Sequence, residues 1–445
     1  MELLDKLALP VSGDHLNLLR YLLVLAMSML VVYSGLLYGS LFSSMYYSSK
    51  SNNDSRYAKL AKDIIDLITN APLIWFALGI APFIAIILIY TQLLHTIDNS
   101  VASYMIFSFF FYCAGIASAY YYKQSIYVSK IADMVSDDNV KEGKLGDFLE
   151  NTGAVVTSSR LFGIIFLTVA MWLLFGATSS AISPATWEAN IFQSMFSLLT
   201  IFKFASFVAL SFLLVGITFV YINYAWSDNR VNDNKNEYEI FAKKEMSNLA
   251  LTSILFLPVV YALSLSYVPK ESISVTMFGA GMLALVLFLV SIHFVYTTLK
   301  EGAAKYLSLG FWLVLFAVLF MNAQDQIAFS VSTEANVVKL ADAYEKAHAH
   351  GEGDVVVAIS GEEIYKTRCS ACHKFDVKQV TAPAYNEVLP KYIGNEQNMI
   401  KFVLNPYPIN KADYPAGMAN QGLKPNEAKA VVEYLLGEVK KNTGK

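Results

Sequence analysis

The chain has 445 residues, a net charge of −3, and only 16% charged against 55% hydrophobic residues. Soluble domains carry about 25% charged residues, so this composition excludes a wholly soluble protein. The small net charge and the lack of a basic run give no nucleic-acid footprint, and three cysteines are too few for a disulfide framework.

The N-terminus sets Glu2, Asp5 and Asp14 against Lys6, which is not the basic start of a secretory leader. The apolar run 18–42, broken only by Arg20, is too long for a leader core and is expected to stay as a transmembrane helix. Seven further stretches reach the length a helix needs to cross a bilayer: 73–94, 101–122, 161–182, 197–225, 248–268, 275–297 and 304–323. Helices are expected because an open sheet cannot satisfy its backbone in lipid. Pro82 and Pro258 lie inside spans. The segment 55–70 has apolar residues at helical spacing and predicts an amphipathic helix at the membrane surface. Cys113 sits in an apolar helix and reads as a small core residue.

Charge sets a direction. The loops after the first, third, fifth and seventh spans hold the basic residues: Lys50, Arg56, Lys59 and Lys62; Lys123, Lys130, Lys141, Lys144 and Arg160; Arg230, Lys235, Lys243 and Lys244; Lys300 and Lys305. The alternate loops hold only Lys270. The positive-inside rule then places the odd loops in the cytoplasm and both termini outside. Lys203, near the outer end of the fifth span, is expected to snorkel to the surface. His15, His95 and His293 lie near span ends, where polar packing suffices.

Composition changes near residue 330. The expected organisation is a membrane domain at 1–328, a helical or flexible linker at 329–356, and a small helical domain at 357–445. His348 and His350 on the linker form a lone His-x-His, a weak metal signal. The fold class is therefore all-α: a bundle of about eight spans plus a small all-α domain.

Residues 369–373 read Cys-Ser-Ala-Cys-His. Two thiols three positions apart can reach both vinyl groups of one haem, with the adjacent His373 under the iron; this is the haem-attachment signature. A zinc site would want a second Cys/His pair, and no further cysteine stands nearby. A redox Cys-x-x-Cys would want a βαβ setting.

Residues 357–441 resemble a class I monohaem cytochrome c. GEEIYKTR (361–368) is similar to the helix leading into the motif, and EAKAVVEYLLGEVKK (427–441) to the C-terminal helix across it. The resemblance implies one covalent haem c and a methionine ligand before the last helix. Met418, in YPAGMANQ, stands at that position, while Met399 lies in a helical pattern that suits the core. The family's Gly-Pro, whose carbonyl orients the proximal histidine, is Ala382-Pro383 here, so Pro383 keeps that role. The expected haem site is thus Cys369, Cys372, His373, Met418 and Pro383, with His373 and Met418 on the iron. Maturation in this family implies an external C-terminus, on the periplasmic face of a bacterial inner membrane.

The membrane domain resembles subunit I of the cytochrome bd oxygen-reductase superfamily. The likeness lies in SRYAKLAKDIIDLITNAPLIWFALGI (55–80), FKFASFVALSFLLVGITFVYINYAW (202–226) and VTMFGAGMLALVLFL (275–289). It departs from that family where chemistry is done. Met277 matches a haem-ligating methionine, but Ser206 stands at the histidine position. The third span has no carboxylate, and the loop at 266–274 is short. A non-catalytic copy is implied, with haem b not expected. The expected function is an electron-transfer subunit of a respiratory membrane complex, partnered by other subunits, by an external electron donor or acceptor and by lipid. The alternatives are a self-contained redox enzyme with b haems, oxidising quinol or reducing oxygen, and a passive membrane anchor.

Overall fold

The computed structural model describes residues 12–443 apart from 52–53, 70–72, 96, 98, 136–143, 188–191, 227–236, 302–303, 352–359, 377–381, 407–417 and 419. Lys141, Arg230 and Lys235 lie outside the described residues, as do the side chains of His348 and His350. The described residues are helical, with no strand among them. The chain divides into two compact units, Met1–Glu345 and Lys346–Lys445.

The first unit holds α1 (Gly13–Ser49), α2 (Ser55–Thr69), α3 (Phe76–Leu93), α4 (Val101–Val135), α5 (Lys144–Ala181), α6 (Leu198–Trp226), α7 (Glu237–Ser266), α8 (Val275–Glu301) and α9 (Ala304–Gly351). All but α2 are long and apolar enough to cross a membrane. They match the eight stretches read from sequence, and most extend beyond them into the polar flanks. In lipid a helix satisfies its own backbone, so nothing in these sequences favours stopping at the apolar edge. Serine and threonine tolerate the interior because their hydroxyls return to the carbonyl four residues back, as Ser206 does to Phe202 at 2.8 Å and Ser211 to Phe207 at 2.7 Å.

The hub is α1, which packs on α2, α3, α4, α5 and α6. Its small residues allow this. A Cβ on Gly39 would collide with the Ser211 backbone of α6, and one on Gly35 would crowd Leu214. Close backbone approach through small residues is the usual way spans associate, since lipid supplies no hydrophobic drive between them. Interhelical hydroxyl pairs add to it: Ser34 donates to Tyr112 at 3.1 Å, and Ser44 pairs with Tyr122 at 2.8 Å. The surface helix α2 buries Leu60, Ala61, Ile64, Ile65 and Ile68. Its apolar stripe packs against the bundle, chiefly α1. Its polar side is held by Tyr238 to Asp63 and by Tyr127 to Asp66.

The last span is tied in by side chains. Gln324, Asp325 and Gln326 are consecutive, so helical geometry aims them about 100° apart. Asp325 pairs with Lys203 of α6 at 2.8 Å, Gln324 meets the Tyr261 hydroxyl of α7 at 3.4 Å, and Gln326 meets Tyr90 of α3 at 3.4 Å. The Lys203 side chain is only 7% exposed. It does not snorkel: Asp325, a carboxylate the span reading passed over, supplies its counter-charge inside the bundle. The stretch 329–356 is helical to Gly351, and its residues through Glu345 belong to the first unit. The reason is polar contact again. Arg20 donates to the Ser330 carbonyl, and Asn336 donates to those of Leu93 and His95.

The second unit is a small helical cluster: α10 (Gly361–Ile364, continued by a π turn over Tyr365–Cys369), α11 (Tyr385–Val388), α12 (Glu396–Leu404) and α13 (Pro425–Thr443). Its core joins Tyr365, Tyr385, Leu389, Met399 and Val403 to Val431, Val432, Leu435 and Leu436 of α13. Gly361 lies where α10 crosses α13, and a Cβ there would overlap the Ala430 carbonyl.

Removing one partner of a buried pair strands the other charge, which costs about 3–5 kcal/mol. Asp325→Ala is therefore expected to lower the stability of the purified chain by that order. The apolar double variant K203M/D325L should recover most of the loss. Thermal unfolding in detergent, followed by circular dichroism, reads both. A double variant as unstable as the single would show that the pair is not what holds α9.

Candidate functional site: a haem-binding turn

Local geometry builds the site from α10 onward. The Ser360 hydroxyl caps its N-terminus by accepting from the Glu363 amide. The helix then widens into a π turn, with the Ser370 amide donating to the Tyr365 carbonyl at 2.8 Å. The chain tightens next, and the amides of Cys372 and His373 both donate to the Cys369 carbonyl, at 3.2 and 3.0 Å. Cys369, Cys372 and His373 thus stand at i, i+3 and i+4 of one turn, which places them on one side. The two cysteines form no disulfide; Cys369 is buried and Cys372 exposed. Burial pushes the Cys369 thiol up from its usual pKa, opposed by a hydrogen bond from Tyr385.

His373 is oriented from ten residues away. Its Nδ1 lies 3.2 Å from the Pro383 carbonyl oxygen. A carbonyl can only accept, so Nδ1 carries the hydrogen, and in the neutral ring Nε2 keeps its lone pair. Burial lowers the His373 pKa and so favours the neutral ring that a metal requires, while the Pro383 bond opposes this shift. Backbone bonds hold Pro383 in reach: the Tyr385 amide donates to the Lys374 carbonyl at 2.9 Å, and that of Asn386 to Phe375 at 3.0 Å.

Two tyrosines complete the surroundings. The Tyr385 ring stacks on the His373 imidazole with centroids 4.7 Å apart and planes 5° from parallel. The Tyr365 hydroxyl donates to the His373 carbonyl at 3.3 Å. The attachment motif names neither residue. Their signal was present in their spacing, with Tyr385 two residues past Pro383 and Tyr365 one turn before Cys369.

The two methionines occupy different settings. Met399 is 3% exposed on α12 and belongs to the domain core. Met418 is half-buried and outside any helix. Its segment is anchored by Arg368, which donates to the Gln421 carbonyl at 2.8 Å, and by an Asn420 side chain that accepts from the Gly422 amide. Gly422 has φ +63°, a left-handed conformation that glycine adopts without a Cβ clash. This turn delivers the chain to α13, where Glu427 accepts from the Lys424 amide and Pro425 opens the helix.

In the membrane unit, Met277 is 1% exposed at the start of α8. His15 and His293 are exposed and His95 is half-buried. Among the described residues no group of three or more His, Cys, Asp or Glu could hold a metal.

A Cys-x-x-Cys-His turn with an imidazole oriented by a backbone carbonyl, enclosed by crossing helices, defines a c-type cytochrome unit. Residues 358–437 match the Cytochrome c family, which gives this part of the chain a haem-based electron-transfer role and implies a covalently bound haem c. No curated protein matches the chain. The donor set fits that group: two thiols on one turn, and an imidazole whose Nε2 is left available by the Pro383 bond. Cys369 and Cys372 would hold such a haem as thioethers, each S–H adding across one vinyl group, the sulfur to one carbon and the hydrogen to the other.

Replacing Cys369 and Cys372 together by alanine is expected to abolish the covalent haem. On a denaturing gel stained for haem peroxidase activity, the wild-type band at the mass of the chain should vanish. A surviving band would place the attachment elsewhere.

Proposed function

We propose that this chain is a membrane-anchored c-type cytochrome, the electron-transfer subunit of a respiratory membrane complex. Haem c is joined to Cys369 and Cys372 and held between His373 and Met418. The observation that carries the reading is the His373–Pro383 hydrogen bond on the attachment turn, which leaves a lone pair free for iron. Held by a His/Met pair, haem c would supply electron transfer rather than oxygen activation, at a raised potential. Met418 is proposed over Met399 because Met399 is committed to the core, whereas Met418 lies in an anchored loop with no packing role of that kind.

The eight long apolar helices among the described residues support a multi-pass membrane protein. The alternation of lysine and arginine supports an external cytochrome unit, with both termini on the periplasmic side of a bacterial inner membrane. Electrons pass between a donor or acceptor outside and a partner haem subunit, for which an intact bd-like oxidase subunit is proposed from the resemblance of 55–80, 202–226 and 275–289. Ser206 supports a non-catalytic membrane unit, because a neutral hydroxyl is a poor iron ligand and this one is already bonded to Phe202.

Two outcomes follow. Met418→Ala should remove the weak near-infrared band of sulfur-to-iron ligation while keeping the covalent haem. Met399→Ala should keep the band and cost about 2–5 kcal/mol of domain stability by opening a cavity. The reverse pattern would exchange the two roles.

Pyridine-haemochrome analysis of the isolated chain should show c-type haem alone. Stoichiometric non-covalent b haem, reducible by a quinol analogue, would make the chain a redox enzyme in its own right.

A further inference from the structure

At the lysine- and arginine-rich end of the membrane unit, α1, α6 and α7 enclose a groove of about 850 Å³. Its mouth is polar. Tyr46, Tyr47 and Ser49 come from the last turns of α1, and Glu245 and Asn248 from the third and fourth turns of α7. Its depth is apolar, walled by Phe42, Phe212 and Phe256. From Glu245 to Phe256 along α7 is about 16 Å at 1.5 Å per residue. That is close to one leaflet of a hydrocarbon core about 30 Å thick. The gradient from charged mouth to aromatic depth is that of a membrane lipid.

A carboxylate lines the mouth, and an ammonium is held beside it through Tyr46. Glu245 sits against the Tyr47 hydroxyl, and among the described residues no lysine or arginine reaches it within salt-bridge distance. Lys50, just past the end of α1, donates to the Tyr46 hydroxyl at 2.6 Å and lies 4.2 Å from the centre of that ring. It is close enough to sense the Glu245 charge. A carboxylate lining the opening, and an ammonium held on the ring of Tyr46 that also lines it, complement a zwitterion. An anionic head without an amine would meet Glu245 unfavourably, and a neutral quinone ring would leave both charges unused.

We propose that this groove is a site for one phospholipid with a primary-ammonium head. The ammonium pairs with Glu245, the phosphate with Lys50, and an acyl chain lies along Phe42, Phe212 and Phe256. The inference rests on the reading of this unit as membrane-spanning, independently of the haem.

The test uses the full chain, delipidated in detergent and titrated with phosphatidylethanolamine, phosphatidylglycerol or ubiquinone under native mass spectrometry. One phosphatidylethanolamine should be retained in preference to the others. Glu245→Gln should lower its retention about fivefold, the scale of one interfacial ion pair, with Glu245→Asp restoring part of it. Lys50→Ala should weaken both phospholipids alike. Covalent haem stain and helicity report whether each variant is folded. Equal or stronger retention of phosphatidylglycerol, retention of ubiquinone in its place, or a folded Glu245→Gln chain with unchanged selectivity overturns the proposal. Extraction of the native chain from membranes by alkaline carbonate would instead overturn the membrane reading beneath it.

Discussion

One ion pair, Lys203 with Asp325, sets the position of the last span in the membrane unit. Two charges held in a bundle of apolar helices have no water to turn to, so each is stable only where the other stands. Three consecutive polar residues, Gln324, Asp325 and Gln326, reach three different helices from one turn of α9. Such a cluster fixes the rotation of a helix about its axis as well as its depth. A stripe of leucines would fix neither, because lipid tails compete equally for that surface. Arg20 and Asn336 extend the same tie toward the end of the span, and this is why α9 stays with the first unit to Glu345.

Elsewhere in the bundle the constraint is distance rather than charge. Gly35 and Gly39 bring α1 against Ser211 of α6, and Gly216 brings α6 against Met246 and Ala250 of α7. Close backbones give dispersion contacts at short range and let serine hydroxyls reach across, as Ser44 does to Tyr122. The groove opens where the last turns of α1 pass Phe212 of α6 and Glu245–Phe256 of α7, and there phenylalanines and tyrosines join the small residues of the seam. Tight packing and an open site are thus neighbouring consequences of side-chain size.

The cytochrome unit works by a different division of labour. A single turn supplies both thiols and the imidazole, so their relative placement is local. Their protonation and orientation are tertiary. Pro383 selects the His373 tautomer, Tyr385 covers one face of the ring, and burial favours the neutral form. An attachment turn without this surround would hold the same atoms with an unfixed ring. Such supporting contacts are what orient a metal-binding histidine and tune it.

Sequence alone determined the eight spans, the attachment turn and the all-α class, because each depends on spacing within one segment. Twenty apolar residues must cross, and Cys369, Cys372 and His373 fall on one side of any helical turn. The resemblance to class I cytochromes c, carried by the segments around the attachment turn and α13, is what pointed to Met418. Sequence did not determine where Lys203 ends up. A lysine near the end of a span has the same sequence pattern whether it snorkels or pairs, and Asp325 lies 122 residues away, which no local rule can join. The amphipathic pattern of α2 was legible, but the partner for its apolar face was not, because lipid and protein reward the same stripe. The stacking of Tyr385 on His373 and the groove beside Glu245 belong to the fold alone: each exists only where separate segments meet, and the chain records their residues without recording the meeting.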